Sequence, residues 1–310
     1  MYLVKTIRGE TLEAGPAFAL LAGFMILSNN VAAYCVAAVI YLMEFRATIK
    51  RTQDILSMEE MSSSSVHPLF GFSDKVLKME GVSVGWSTAA VSPQYESLGE
   101  QDSSFLGLKE SPQADTAAVL QGLNFSVEKG ELIGVVGRVG SGKTTLLHAI
   151  LGECPVSGSI YKREGLTVAY VEQEPYILAD TIQKNILFGL PLQEEKLKEA
   201  IRFSRLTSEV RSLPEGLNTL VGEKGVTLSG GQRARISLAR AIYAKADLYL
   251  LDDPLSAVDL PIASSLMEDC IRGKLKGKTR MLVTHRVSLL RDADKILWLG
   301  EGKMQFFGSY

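Results

Sequence analysis

The sequence predicts an α/β fold with a largely parallel sheet, preceded by one transmembrane helix. Three observations support this: a long charge-free run near the N-terminus, a glycine-rich loop after an apolar strand, and apolar strands that alternate with helical stretches. The strands are predicted at 132–136, 166–171, 248–251, 280–284 and 295–299. This alternation is typical of βαβ units, in which helices join parallel strands.

The composition restricts the function before any motif is considered. The chain has 310 residues and a formal net charge of -2, so nucleic acid is not the expected partner. Its three cysteines, Cys35, Cys154 and Cys270, form no Cys-x-x-Cys pair and no even framework. We therefore expect a reducing, cytosolic environment for the bulk of the chain.

The charge-free run extends from Ala14 to Met43 and predicts a transmembrane helix. Such a helix would be about 45 Å long, against a bilayer core of about 30 Å. The polar Ser28-Asn29-Asn30 in its middle would face other helices or a water-filled cavity. Arg46, Lys50 and Arg51 follow the run, which indicates a cytosolic C-terminal end.

Two other interpretations of this run are weaker. A signal peptide would use Ala17–Leu27 as its apolar core, but the apolar sequence continues well beyond that core. A buried helix of a soluble protein would be weakened by Pro16, Gly23 and the asparagine pair. Helical character continues to Glu60, so we predict that residues 1–60 are the end of a transmembrane domain.

A linker and an insertion divide the rest of the chain. Residues 61–75 contain a run of serines and a proline, which indicates a linker. Residues 76–310 are predicted to form one domain that begins with a strand, but the strand pattern is lost over 87–117. That stretch is acidic, with Lys109 as its single basic residue, and rich in serine, so we expect a flexible insertion.

The glycine-rich loop is the most specific motif of the chain. Gly137–Thr144 fits the phosphate-binding pattern in full and lies between an apolar strand and an apolar helix. Its glycines let backbone N–H groups approach phosphate oxygens, and the following helix adds the positive end of its dipole. We expect Lys143 to reach the β- and γ-phosphates of a nucleoside triphosphate, and Thr144 to bind Mg²⁺. The predicted nucleotide-binding residues here are Gly137, Arg138, Val139, Gly140, Ser141, Gly142, Lys143, Thr144 and Thr145.

A second part of the phosphate site is predicted where an apolar strand ends in a carboxylate. Leu248–Asp252 is such a strand, and its end can hold the magnesium shell if it lies beside the phosphate loop. The pattern is weak alone, because many buried strands end in aspartate. Together with the loop it is strong, so we predict Asp252 as a metal ligand.

A third motif carries a resemblance to a known family. Leu228-Ser229-Gly230-Gly231-Gln232, continued by Arg233–Ala241, resembles the signature of ATP-binding-cassette (ABC) proteins. Small glycines and a serine at a helix N-terminus again present donors to a phosphate. The resemblance implies that Ser229, Gly230, Gly231 and Gln232 face the γ-phosphate of an ATP molecule held by a second cassette.

The remaining motifs of that family follow in order, and the resemblance covers residues 76–310. It implies that Trp86 stacks on adenine, although a tryptophan at the end of a strand is more often a core residue. It implies that Gln173 contacts Mg²⁺ and couples to the membrane domain, and that Ser256–Asp259 is the D-loop. It further implies that His285 touches the γ-phosphate. The family fold adds an antiparallel β part and a helical subdomain to the parallel sheet.

Within the family, the chain resembles subfamily C, the group of multidrug-resistance-associated proteins and the cystic-fibrosis channel, and its first cassette in particular. The resemblance lies in Asn185–Gly189, Val221–Gly225 and Leu251–Leu255. The chain departs from most cassettes at Asp253, where a glutamate usually orients the attacking water. The shorter side chain withdraws the carboxylate by about 1.5 Å, and a displacement of that order can cost about 100-fold in rate. We therefore predict slow hydrolysis here, with Asp253, His285 and Gln173 as the catalytic set.

These resemblances imply the ATP-binding and hydrolysing cassette of an ABC exporter that uses Mg²⁺ and exports organic anions or conjugates. The expected partners are a second nucleotide-binding domain, the membrane domains of the full transporter, the membrane and a small-molecule substrate, but not nucleic acid. The protein would be an integral membrane protein with its cassette on the cytosolic side. Its start at Met1, within a membrane domain, indicates part of a longer protein, and one helix forms no transport pathway.

Two alternatives stay open at this stage. An ATP-gated channel or channel-regulator subunit of the same subfamily would share these motifs, although His285 and the intact D-loop favour a transporter. A soluble ABC ATPase acting on ribosomes or DNA would lack the membrane helix.

Overall fold

The chain divides into two compact units, within residues 1–60 and 61–310. The computed structural model describes residues 14–57, 66–69, 74–85, 118–222 and 225–309. Trp86, the insertion predicted at 87–117 and most of the linker predicted at 61–75 lie outside the described residues.

The described residues of the first unit form one helix, α1 (Ala14–Leu56). By length and composition it can cross a membrane, with a candidate span of Ala17–Leu56. Large apolar side chains such as Phe24 and Tyr34 are exposed at 69% and 73%. Apolar residues occur on all sides of α1, which is typical of a helix that is surrounded by lipid or by other protein.

The second unit opens with a four-stranded sheet in the order β1-β5-β2-β3. Its strands are β1 (Val66–Leu69), β2 (Lys75–Gly85), β3 (Ala118–Glu128) and β5 (Val156–Arg163). β2 pairs antiparallel with β3 and β5, which is the antiparallel part implied by the family resemblance. β1 pairs parallel with β5 inside the stretch predicted as linker, so that prediction overlooked a strand.

The alternation of buried residues along β2 changes phase between Met79 and Val82. Leu77 and Met79 are buried, and so are Val82 and Val84. The change coincides with a register shift between Met79 and Val82 in the pairing with β3. Such a β-bulge keeps both apolar pairs on the core face, although they are not spaced by an even number of residues.

The second sheet has six strands in the order β10-β9-β4-β8-β7-β6, and only the edge strand β10 runs antiparallel to its neighbour. Its strands are β4 (Leu132–Gly137), β6 (Val168–Val171), β7 (Leu248–Asp252), β8 (Thr279–Val283), β9 (Lys295–Gly300) and β10 (Lys303–Gly308). The five predicted strands are confirmed with small shifts at their ends, whereas β10 was not predicted. The central strands β7 and β8 are buried throughout, which explains why they are nearly continuous apolar runs.

Helices cover the parallel sheet and form a separate helical part between β6 and β7. The helices are α2 (Lys143–Leu151), α3 (Ile182–Leu187), α4 (Glu194–Phe203), α5 (Thr207–Ser212), α6 (Gly230–Ala244) and α7 (Leu260–Ser265). A π-helical segment continues α7 over Leu266–Lys274, and short 3-10 turns lie at Gly216–Asn218 and Val287–Leu290. The largely parallel sheet, the antiparallel part and the helical part agree with the predicted fold class.

Two hydrophobic clusters form the core of this unit. One lies between the two sheets around α2, and the other packs α6 and its neighbouring helices against the parallel sheet. Cys154 and Cys270 are free and buried within them. Burial raises the pKa of these thiols to about 11 and about 12, so both stay protonated at neutral pH.

Candidate nucleotide-binding site

The candidate site lies where the parallel strands end. The loop after β4, the last residue of β7 and the residues after β6 and β8 meet at this edge of the sheet, because parallel strands share the side on which they end. They enclose a cavity of about 290 Å³. Its lining residues are Val119, Val139, Gly140, Gly142, Lys143, Thr144, Thr145, Gln173, Asp252, Asp253, Val283 and His285.

Gly142 fixes the path of the phosphate loop into α2. It is the N-cap of α2 and has φ 93, in the left-handed region where glycine is favoured. A Cβ atom at this position would lie 2.5 Å from Cδ2 of the buried Leu120, so a side chain here would force Leu120 to shift. Since glycine has no side chain to cap the helix, the N–H groups of the first turn need another acceptor, and an anion in the cavity would provide one.

Lys143 begins α2, and its ammonium group is held by the main chain of the loop. Its Nζ donates to the carbonyl oxygens of Gly137 at 3.0 Å and Arg138 at 2.8 Å. Burial lowers its pKa, whereas the charges of Asp252 and Asp253 raise it. The main chain thus holds this cation at the mouth of the loop, where a phosphate would meet it.

Asp252 is the most buried acidic group of the site, with 1% of its surface exposed. Burial raises the pKa of its carboxyl group, a hydrogen bond from Thr144 lowers it, and the charge of Asp253 raises it again. Its Oδ2 atom is buried without a hydrogen-bond partner among the described residues. A buried carboxylate oxygen without a partner is costly, and a cation would offset that cost.

Three side-chain oxygen donors of the cavity are suited to binding Mg²⁺. The hydroxyl of Thr144, the carboxylate of Asp252 and the amide of Gln173 line the same cavity. Hydroxyl, carboxylate and amide oxygens are the ligands that Mg²⁺ prefers, and it keeps waters and phosphate oxygens in its remaining positions. The donor set is therefore suited to a Mg²⁺ ion that is bound together with a phosphate.

Asp253 is held in an unusual backbone conformation next to Asp252. It is buried and has φ 48, which is uncommon for residues other than glycine but is tolerated by aspartate. Its N–H donates to the carbonyl oxygen of Val283 at 3.1 Å, and its own carbonyl oxygen accepts from Oγ of Ser256 at 2.8 Å. These bonds fix where the carboxylate enters the cavity.

Three predicted residues lie on the open side of the cavity or beside it. Gln173 and His285 are exposed, and both line the cavity. The side chain of Arg138 instead lines a neighbouring cavity of about 450 Å³ together with Trp298 and Gln305. The structure therefore brings Gln173 and His285 to the carboxylates, and Arg138 reaches Lys143 only through its carbonyl oxygen.

The signature residues lie apart from this cavity, since none of Ser229, Gly230, Gly231 and Gln232 lines it. Ser229 is the N-cap of α6, where its Oγ accepts from the N–H of Gln232 at 3.2 Å. Oε1 of Gln232 accepts from the N–H of Ser229 at 2.9 Å, which completes a capping box. Within the described chain the signature is thus a separate helix N-terminus.

Three residues of the site were missed by the sequence analysis. Val119 lines the cavity from β3, and no motif marks it. Arg286 donates from Nη2 to the carbonyl oxygen of Val258 at 2.9 Å and so anchors the D-loop. Arg240 of α6 contacts the segment after Gln173. No pattern in the sequence marks these two arginines, because their main-chain partners come together only in the fold.

Comparisons with known proteins agree with the fold and the motifs. The ABC transporter family profile matches residues 120–256. The chain is 34% identical over 309 residues to a "probable multidrug resistance-associated protein" of Drosophila melanogaster, which covers 98% of the chain and 21% of that relative. It is 35% identical over 309 residues to ATP-binding cassette sub-family C member 4 of Homo sapiens, covering 100% of the chain and 21% of the relative.

The same protein of Mus musculus is 45% identical over 191 residues, which cover 62% of the chain and 14% of the relative. The chain thus spans about a fifth of the length of the first two relatives. Together with the strand order and the motifs around the cavity, these matches show that the chain belongs to the ABC transporter family and carries a nucleotide-binding domain of the subfamily C type.

Proposed function

We propose that this nucleotide-binding domain binds Mg·ATP in the cavity at the end of β4, β7 and β8. The observation that carries the proposal is that an ammonium group and a carboxylate with one unpartnered oxygen line the same cavity. Lys143 lies in the loop of amide donors, and the buried Oδ2 of Asp252 has no partner among the described residues. A triphosphate with its metal ion would supply an anion for the ammonium group and a cation for the unpartnered carboxylate oxygen.

The polar side chains of the cavity have distinct roles in this proposal. The loop amides, Lys143 and Thr145 would hold the β- and γ-phosphates, and Trp86 would stack on adenine as the family resemblance implies. Thr144, Gln173 and Asp252 would hold the metal ion. When bound, Mg²⁺ would neutralise charge on the transferred phosphoryl group.

The same proposal assigns hydrolysis to Asp253, His285 and Gln173 and makes it slow at this site. Asp253 would orient the attacking water and His285 would contact the γ-phosphate. The aspartate carboxylate ends one methylene short of the usual glutamate, and its backbone is fixed by the bonds to Val283 and Ser256. The main chain therefore does not move forward to replace the missing length.

The separation of the signature from the cavity supports a two-cassette arrangement. Ser229, Gly230, Gly231 and Gln232 form a helix N-terminus for which the described chain offers no phosphate site. We propose that this end of α6 closes over ATP on a second cassette, and that the second cassette's signature closes over the cavity described here. Closure and reopening would switch the membrane domains between two states.

The proposed role of the whole protein rests on the similar proteins described above and on α1. We propose that residues 1–60 end a membrane domain, that 61–75 link it to the cassette at 76–310, and that the cassette lies in the cytosol. The whole protein would be an exporter of organic anions or conjugates, a small-molecule cargo chosen by membrane helices outside this chain. The names of the relatives, a multidrug resistance-associated protein and a sub-family C member, support this assignment.

ATP-driven uptake into inside-out vesicles tests the exporter proposal. The vesicles contain the longer protein of which this chain would be a part, with both membrane domains and both cassettes, and a fluorescent organic anion is the probe. We expect uptake that requires ATP and Mg²⁺ and is lost in the Lys143→Ala variant. ATP-dependent ion current without uptake would instead support the channel alternative.

A further inference from the structure

Gln173 lies in a short turn whose two ends are tied together. Oε2 of Glu172 accepts a hydrogen bond from the N–H of Tyr176 at 2.9 Å. This bond closes the turn Glu172–Tyr176, which we call the Gln173 turn. Since Gln173 itself is exposed, the position of its amide depends on what holds the ends of the turn.

Arg240 of α6 holds one end of the Gln173 turn. Its Nη2 donates to the carbonyl oxygen of Tyr176 at 2.9 Å, and its Nε donates to the carbonyl oxygen of Asn185 at 3.0 Å. The guanidinium carbon lies 4.2 Å from the centre of the Phe188 ring. Burial lowers the pKa of Arg240, and the negative charge of Glu172 raises it. One side chain therefore joins α6 to both the Gln173 turn and the end of α3.

The segment between these contacts is itself cross-linked. Asn185 is fully buried, and its Oδ1 accepts from the N–H of Leu178 at 2.8 Å while its Nδ2 donates to the carbonyl oxygen of Leu178 at 3.0 Å. Phe188 follows in a left-handed conformation with φ 44, which is strained for a bulky residue and needs support from its surroundings. The guanidinium of Arg240 provides such support on one face of the ring.

Tyr243 ties the C-terminal part of α6 to the segment that precedes α4, which makes α6 a rigid base for Arg240. The hydroxyl of Tyr243 donates to the carbonyl oxygen of Pro191 at 2.5 Å and accepts from the N–H of Gln193 at 2.9 Å. At the other end of α6, the capping box fixes the signature. Arg240 therefore reaches the Gln173 turn from a helix that is held at both ends.

We propose that Arg240 is a positioning residue that fixes the Gln173 turn from helix α6 and so places the Gln173 amide for Mg²⁺. The proposal rests on the assignment of Mg·ATP to the cavity. It also makes α6 a physical connection between the signature at its N-terminus, the metal side of the cavity and the exposed ring of Phe188.

The test compares ATP binding with and without the metal. The full 310-residue chain in detergent is titrated calorimetrically with ATP, once in Mg²⁺ and once in EDTA. We expect Mg²⁺ to tighten binding by the wild type, and Arg240→Lys to reduce that tightening by about tenfold, the usual size for a residue that supports a metal ligand. The affinity for ATP in EDTA should stay unchanged, because the loop and Lys143 are intact. A general loss of folding would reduce both affinities instead.

A double-variant cycle decides whether Arg240 acts through Gln173. Gln173→Ala should lose the same Mg²⁺-dependent part, and Arg240→Lys should cost nothing more in that background. Arg202→Lys is the matched control, since Arg202 also stacks on a phenylalanine, 5.4 Å from the Phe203 ring, but lies on α4 away from the Gln173 turn. This control should bind as the wild type does.

The outcomes separate this inference from the proposed function. Equal losses with and without Mg²⁺, or additive losses in the double variant, would overturn the role of Arg240 while ATP binding stands. A wild type that binds no ATP would overturn the proposed function first. If Arg240→Lys does not fold, Phe188→Leu removes only the stacked ring from an exposed position and should give a smaller loss of the same Mg²⁺-dependent part. A Phe188→Leu chain with full Mg²⁺-dependent tightening would then contradict the proposal.

Discussion

Asp253 shows how one residue can combine a backbone requirement with a chemical one. Its left-handed backbone, with φ 48, suits aspartate better than glutamate, whereas water activation favours the longer glutamate. With the second cassette present, we expect Asp253→Glu to raise turnover at this site by about tenfold, because the carboxylate then reaches the attacking water. Single-turnover hydrolysis with the other site inactivated measures this rate.

The control for that prediction is Asp253→Asn. Asparagine keeps the tolerance for the left-handed region and removes the base, so turnover should fall while ATP binding is retained. If Asp253→Glu does not raise turnover, the shortened carboxylate is not what limits this site.

At the scale of elements, α6 depends on its N-terminal capping box. Replacing Ser229 by alanine removes the acceptor for the N–H of Gln232, and the free energy of unfolding should fall by about 1 kcal/mol. Urea denaturation followed by circular dichroism measures the loss. Ser229→Asn keeps a side-chain acceptor and should restore most of the stability. Equal losses in both variants would show that capping is not the stabilising role of this serine.

Elements that are marked by a contiguous sequence pattern were predicted well. Strands that are recognised only by their hydrogen bonds to another strand were not. The strand β4, the loop after it and α2 follow from a contiguous pattern of apolar residues and glycines, so the sequence locates them closely. β1 was missed because a serine-rich and proline-containing stretch signals a linker, and its pairing with β5 is visible only in the fold. β10 was missed for the same reason, since its hydrogen bonds are made to β9.

At the scale of the whole molecule, α1 is a candidate membrane span. Its apolar side chains are exposed on every side, and a lipid bilayer would cover them. We expect the chain to stay with membranes after an alkaline carbonate wash. Lysines at Ile26 and Val31 should weaken insertion, at a cost of roughly 3 kcal/mol each near the helix centre, and release part of the chain. Release of the wild type by carbonate would contradict a spanning helix.

At the scale of the whole molecule, the fold also separates the parts of the site that the sequence could predict from those that it could not. Motifs along the chain identified Lys143, Thr144, Gln173, Asp252, Asp253 and His285, which line one cavity in the fold. The supporting contacts were hidden, because Arg240 meets the Tyr176 carbonyl and Arg286 meets the Val258 carbonyl across long sequence separations. Main-chain partners leave no trace in side-chain identity, so no motif reveals them.

The central claim is that Lys143 and Asp252 form a Mg·ATP site, and equilibrium titration of the 310-residue chain with Mg·ATP tests it most directly. The wild type should bind, and Lys143→Ala should bind at least about tenfold more weakly, because a charged hydrogen bond to phosphate is lost. Lys198→Ala, which removes an exposed lysine paired with Glu195, should leave the affinity unchanged. Equal affinity of the wild type and Lys143→Ala for Mg·ATP would contradict the account.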